Sequence, residues 1–73
     1  MTYTMTFDSY ADAVQYFTCL GLTRLPVRGI ETWGGSTYDD DGSLIPTIAR
    51  GSIRPGMAKE WTFFEKRVAS NRV

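Results

Sequence analysis

At 73 residues, with no histidine, one cysteine and zero formal net charge, the chain has room for a single domain and for no internal disulfide. The missing histidine removes the commonest general base, the usual metal ligand and the partner needed for Ser/His or Cys/His catalysis. No stretch approaches the roughly 20 apolar residues that span a bilayer, and a neutral chain argues against a dedicated non-specific DNA binder.

Thr2 to Phe7 alternates strictly, with Tyr3, Met5 and Phe7 on one face, which is the period of a half-buried strand. Asp8 and Ser9 end that pattern and supply N-cap chemistry, and Asp12 complements the first turn of a helix. From there Tyr10, Ala13, Val14, Phe17 and Leu20 fall at helical spacing, so a helix is expected over residues 9–20, with Asp12, Gln15 and Tyr16 pointing outward. Gly21 stands where a C′ glycine belongs, and Leu22 is placed to fold back onto Phe17.

Beyond Pro26 three strands are expected. Val27 to Tyr38 carries Ile30, Thr32 and Trp33, but Gly29 and the Gly34-Gly35 pair imply a bulge or a split into strand and loop. Asp39-Asp40-Asp41-Gly42 is a turn, because Asp-Gly tolerates the positive φ of tight hairpins. Ser43 to Ile53 reads as a strand whose first part Pro46 confines to an edge or a bulge. After Arg54-Pro55-Gly56, residues Ala58 to Val68 form the last strand, with Trp61 and Phe63 on one face and Thr62, Phe64 and Lys66 on the other. Ala69 to Val73 has no pattern and reads as a frayed end. The expected fold is α+β, ordered β-α-β-β-β, with one helix across an antiparallel sheet of three to four strands and the far face open.

Charge is unevenly distributed along the chain. Residues 1–41 hold six acids and two bases, a net charge of −4, and residues 42–73 hold two acids and six bases, a net charge of +4. Such a division favours steering toward a charged partner unless folding interleaves the halves. Two binding patches follow. One is acidic, made of Glu31, Asp39, Asp40 and Asp41; the other is basic, made of Arg50, Arg54, Lys66 and Arg67 beside the aromatic strand.

The three aspartates fail as a calcium loop, since the twelfth position counted from Asp39 is Arg50 instead of glutamate. No G-x-G-x-x-G follows a strand, and no G-K-[ST] is present. Cys19 lies near the C-terminal end of the helix, away from the positive end that activates thiolates. Binding without catalysis and without a cofactor is therefore the expected mode of action. A lone cysteine and a start that lacks a basic n-region and meets Asp8 before any apolar run point to the cytosol.

In its size, its α+β order, its Asp39–Asp41 turn and its composition the chain resembles the small anti-CRISPR proteins of phages and mobile elements, in particular inhibitors of type I systems, the I-C subtype among them. The resemblance implies a non-enzymatic inhibitor in the host bacterial cytosol that docks on a Cas subunit of the type I surveillance complex, Cascade, and stops recruitment of target DNA. Proteins of this kind share no motif, so the resemblance assigns no binding residue. From the residues themselves the acidic patch could occupy a site built for phosphates. The alternative is a small nucleic-acid-binding regulator that uses the basic, aromatic strand, and a weak homodimer through an open sheet edge is a third possibility.

Overall fold

The computed structural model describes residues 1–66. Its elements are β1 (Thr2–Thr6), α1 (Tyr10–Leu20), β2 (Thr23–Arg24), β3 (Thr32–Tyr38), β4 (Leu44–Gly51) and β5 (Glu60–Glu65). All pairings are antiparallel, in the order β1-β5-β4-β3-β2. The α+β class and the single helix agree with expectation. The sheet has five strands where three to four were expected, and the added one is β2.

The helix boundaries follow from local chemistry. Ser9 is the N-cap in an extended conformation, and its Oγ accepts from the Asp12 N–H at 3.1 Å. At the other end Gly21 takes φ 87°, its N–H reaches the Thr18 carbonyl at 3.1 Å, and the Leu22 N–H reaches the Phe17 carbonyl at 2.9 Å. That C-terminal stop turns Leu22 under the helix, where it is buried.

The core lies between α1 and one face of the sheet. Ala13 and Phe17 meet Trp33, Ala49, Trp61 and Phe63. The Phe17 ring stands edge-on to Trp61 at 4.8 Å and also contacts Trp33 at 5.4 Å and Phe63 at 5.7 Å. Buried aromatics of this size each stabilise by roughly 2–3 kcal/mol, which lets so short a chain hold a core without a disulfide. Tyr16 does not point outward as its helical position suggested. It is half-buried, with its ring 5.4 Å from Phe7 and 6.3 Å from Phe63.

Two features of the sheet depart from expectation. Residues 27–31 are loop, and β3 begins only at Thr32, running through Gly34 and Gly35 without a break. Gly35 answers close packing: a Cβ there would lie 3.2 Å from the Gly21 carbonyl oxygen, beneath the end of α1. Pro46, expected at an edge or a bulge, sits in β4, a central strand. It is tolerated because β5 pairs with β4 only from Thr47 onward, so no β5 carbonyl of the ladder is left without its donor. The Pro46 carbonyl still accepts from the Lys66 N–H at 2.9 Å.

Candidate interaction site

The β3–β4 turn carries the acidic cluster. Asp39 Oδ1 accepts from the N–H groups of Asp41 at 3.0 Å and Ser43 at 3.1 Å, and Asp41 Oδ1 accepts from the Ser43 N–H at 2.9 Å. The backbone closes the same turn, with Asp39 N–H to Ser43 O at 3.1 Å and Gly42 N–H, at φ 85°, to Asp39 O at 3.0 Å. These are side-chain-to-backbone turns, which fix carboxylates in space. Hydrogen bonding with the Asp39 carboxyl, then with Ser43, holds the Asp41 carboxyl down to about 2. Tyr38 and Leu44, paired across the hairpin, are 71% and 59% exposed, so apolar side chains flank the three acids. Among the described residues no group of three histidine, cysteine or acidic side chains is arranged to hold a metal ion.

Glu31 does not join this cluster. It precedes β3 at the opposite end from the turn, roughly 25 Å away along an extended strand. Its residue exposure is 2%, and its oxygens are spent internally. Oε2 accepts from Tyr10 Oη and from Trp33 Nε1, each at 2.7 Å, and Oε1 accepts from the Gly56 N–H at 2.8 Å, with the Arg24 guanidinium 4.0 Å off. Burial pushes the Glu31 carboxyl up, but hydrogen bonds from Tyr10, Trp33 and Gly56, with the charge of Arg24, prevail and hold it below its ordinary value. The Tyr10 phenol moves the other way, raised by burial and then by its bond to Glu31. As a contact for a partner, Glu31 is withdrawn: it is a buried hub that ties α1, β3 and the β4–β5 loop together. One signal in the sequence marks it, since Glu31 shares the alternation of Trp33 and hence the core face.

The basic residues are dispersed. Arg50 lies one residue before the end of β4, on the open face and opposite Thr62, and Arg54 lies in the β4–β5 loop. Lys66 stands across from Pro46, about 13 Å from Arg50 along the strand. Arg67 and the expected frayed segment 69–73 lie outside the described residues. Of the aromatic strand, Trp61 and Phe63 are fully buried, and Phe64 alone is exposed, at 41%. Phe64 shares the open face with Ile48 and Pro46, where a shallow depression of about 350 Å³ forms.

Folding therefore interleaves the two charge halves of the sequence, with β5 and β4 seated between β1 and β3. No simple polarity replaces that division: Asp39–Asp41 share their end of the strands with Lys66 and the Met1 ammonium, and Arg50, Arg54 and Lys59 share theirs with Glu60. Cys19 is free and exposed on α1, with no second cysteine in the chain. No described helix is long and apolar enough to cross a membrane. No protein-family model matches the chain, and no curated protein and no solved structure matches it either.

Proposed function

We propose that the chain is a non-enzymatic binding protein whose acidic hairpin tip enters a basic site built for phosphates. Following its resemblance to the anti-CRISPR proteins, that site is on a Cas subunit of a type I surveillance complex, in the bacterial cytosol, and occupancy blocks recruitment of target DNA. The observation that supports the reading is the clasped turn: Asp39 and Asp41 are fixed by the backbone of their own loop, with Asp40 between them and exposed Tyr38 and Leu44 beside them. Carboxylates already fixed lose little freedom on binding, and flanking apolar groups supply the desolvated contact that charge alone lacks. Lys and Arg that hold a DNA backbone offer the complementary surface.

The test is a competition: purified type I complex, labelled target DNA and increasing amounts of this protein. The reading expects DNA binding to fall as the protein saturates the complex, and the triple change of Asp39, Asp40 and Asp41 to Asn to lose at least tenfold in potency. Unchanged potency in that variant would remove the tip from the interface.

A second reading rests on the open face, where Arg50 and Lys66 flank Phe64. Two cations around one exposed ring offer a small platform for single-stranded nucleic acid. A salt-dependent shift of labelled single strands, abolished by Phe64→Ala, supports this second reading; no shift at low salt removes it.

A further inference from the structure

We infer that the outer edge of β1 is a homodimerisation site, at which a second copy of this chain adds its own β1 antiparallel to give one continuous ten-stranded sheet. The inference is independent of what the hairpin tip binds.

The two edges of the sheet are unequal. On one side β2 has only two residues, Thr23 and Arg24, and Pro26 follows close behind. The other edge, β1, is five residues of Thr-Tyr-Thr-Met-Thr, with no charge, no proline and no bulge. Edge strands are usually blunted by one of those devices, because their free N–H and C=O groups are a template for pairing. The pairing of β1 with β5 fixes which groups are free. Met1 exchanges hydrogen bonds with Glu65, at 2.7 and 2.8 Å, and the Phe7 N–H reaches the Lys59 carbonyl at 2.8 Å. With that alternation, the odd-numbered residues turn their backbone groups toward β5, and Thr2, Thr4 and Thr6 turn theirs away from it, where no other described strand pairs with them.

This edge is complementary to itself. A two-fold axis at Thr4 sets Thr4 opposite its own copy and Thr2 opposite Thr6, so three pairs of outward-facing residues exchange backbone hydrogen bonds, as a symmetric interface requires. Threonines then face threonines on the open side of the sheet, a favourable cross-strand pairing. On the other side Tyr3 meets Met5 of the second copy.

A second observation, independent of the backbone, points to the same edge. The fully buried core side chains of the sheet come from β3, β4 and β5 and none from β1, where Tyr3 and Met5 are half-buried, as are Phe7 beyond it and Tyr10, Val14, Tyr16 and Leu20 of α1. A second copy seated on β1 brings an identical half-covered row against this one. For a domain of this size, association is a recognised way to add the buried surface that a small core lacks. The symmetry leaves the two acidic tips pointing in opposite directions.

The experiment is light scattering on the full chain across a concentration series, with amide hydrogen exchange on the same samples. The expected result is a mass rising toward twice the 8.2 kDa of one chain. The amides of Thr2, Thr4 and Thr6 should gain at least tenfold protection in step with the mass. Thr4→Pro removes one outward N–H at a position where an edge strand tolerates proline, and Thr4→Lys sets two like charges face to face. Both should remain monomeric, with the far-UV spectrum of the folded chain. In a Cys19→Ser background, Thr4→Cys should cross-link to its own copy on mild oxidation, because hydrogen-bonded partners stand about 5.5 Å apart, within disulfide range; Thr2→Cys, which faces Thr6, should not. A monomer at every concentration overturns the proposal, including one whose edge amides become protected only when a foreign strand is supplied. So does a dimer whose Thr2, Thr4 and Thr6 amides stay unprotected.

Discussion

The Gly56 N–H donates to Glu31 Oε1 at 2.8 Å, a bond that joins residues 25 apart in sequence and pins the β4–β5 loop to the start of β3. With Tyr10 and Trp33 on the other oxygen, this one carboxylate satisfies donors from three separate parts of the chain. Removing it strands all three. Glu31→Leu should cost about 3 kcal/mol or more, since a buried donor left without an acceptor loses on the order of 1–3 kcal/mol. Glu31→Gln, which keeps one acceptor oxygen but turns an NH2 toward a donor, should cost about half as much. Urea unfolding followed by tryptophan fluorescence reads both.

The same group sets the acid limb of stability. The folded Glu31 carboxyl lies below its ordinary 4.5, so its contribution is present above that value and is lost as pH falls through the folded one. Asp41, held down to about 2 from 3.8, acts in the same direction at lower pH. Tyr10 acts oppositely: its raised phenol contributes below 10.0, and the contribution is lost as pH rises through the folded value. Thermal unfolding against pH should show the first loss beginning near pH 4.5, and Glu31→Gln should flatten that part of the curve while leaving the Asp41 part in place.

Phe17 is fully buried and touches the rings of Trp33, Trp61 and Phe63. Phe17→Ala should cost about 3–5 kcal/mol. That range equals the whole stability expected of a domain this small, so the variant should be unfolded by circular dichroism at room temperature. Phe17→Leu, which keeps most of the volume, should remain folded with a lowered melting temperature.

Two glycines in the sheet should respond differently to an added methyl. A Cβ on Gly51 would stand 3.0 Å from the Ala58 Cβ and 3.4 Å from the Trp61 ring, inside the core, and Gly51→Ala should cost about 1–3 kcal/mol. On Gly34 the nearest atom is the Leu25 Cδ1 at 2.9 Å, the end of a flexible side chain on the open face. Gly34→Ala should therefore be within about 1 kcal/mol of the parent. Comparing the two denaturation midpoints checks the contrast.

Within the tip, folding and docking can be separated. Asp39 Oδ1 accepts two turn amides, so Asp39→Ala should lower stability by about 1 kcal/mol as well as weaken docking. Asp40 is exposed, and no bond of the turn closes through its carboxylate. Asp40→Asn should leave the melting temperature unchanged and reduce only affinity for a basic partner, measured by calorimetric titration at low salt.

How much of this was readable in advance depends on how local each cause is. The switch from alternation at Thr2–Phe7 to helical spacing at Tyr10–Leu20, the Ser9 cap, the Gly21 stop and the return of Leu22 to Phe17 are all set by neighbours in sequence, and all appear in the structure. So do the two faces of β5. The short β2 was not readable, because two residues become a strand only by lying against Trp33 and Gly34. Pro46 misled for the same reason: whether a proline is tolerated in a central strand depends on where a neighbouring strand ends. Of the candidate site, the Asp-Gly turn was legible, whereas for Glu31 only its alternation with Trp33 hinted at the core face. An acid between Ile30 and Thr32 looks like a surface residue until two distant donors, Tyr10 and Gly56, are found around it beside the neighbouring Trp33.

The sheet order has one further consequence, for the way the molecule is made. Among the described elements β1 comes first, yet its strand partner, β5, comes last, and every other described element lies between them in sequence. A hairpin of β3 and β4 can form as soon as its own residues exist, whereas closure of the sheet must wait for contacts of the longest sequence separation, which form slowly. Until β5 is in place, the uncharged β1 has no described strand to pair with, and α1 lacks the Trp61 and Phe63 rings on which Phe17 packs. Misassembly through the uncharged edge of β1 is therefore a hazard of the incompletely folded chain.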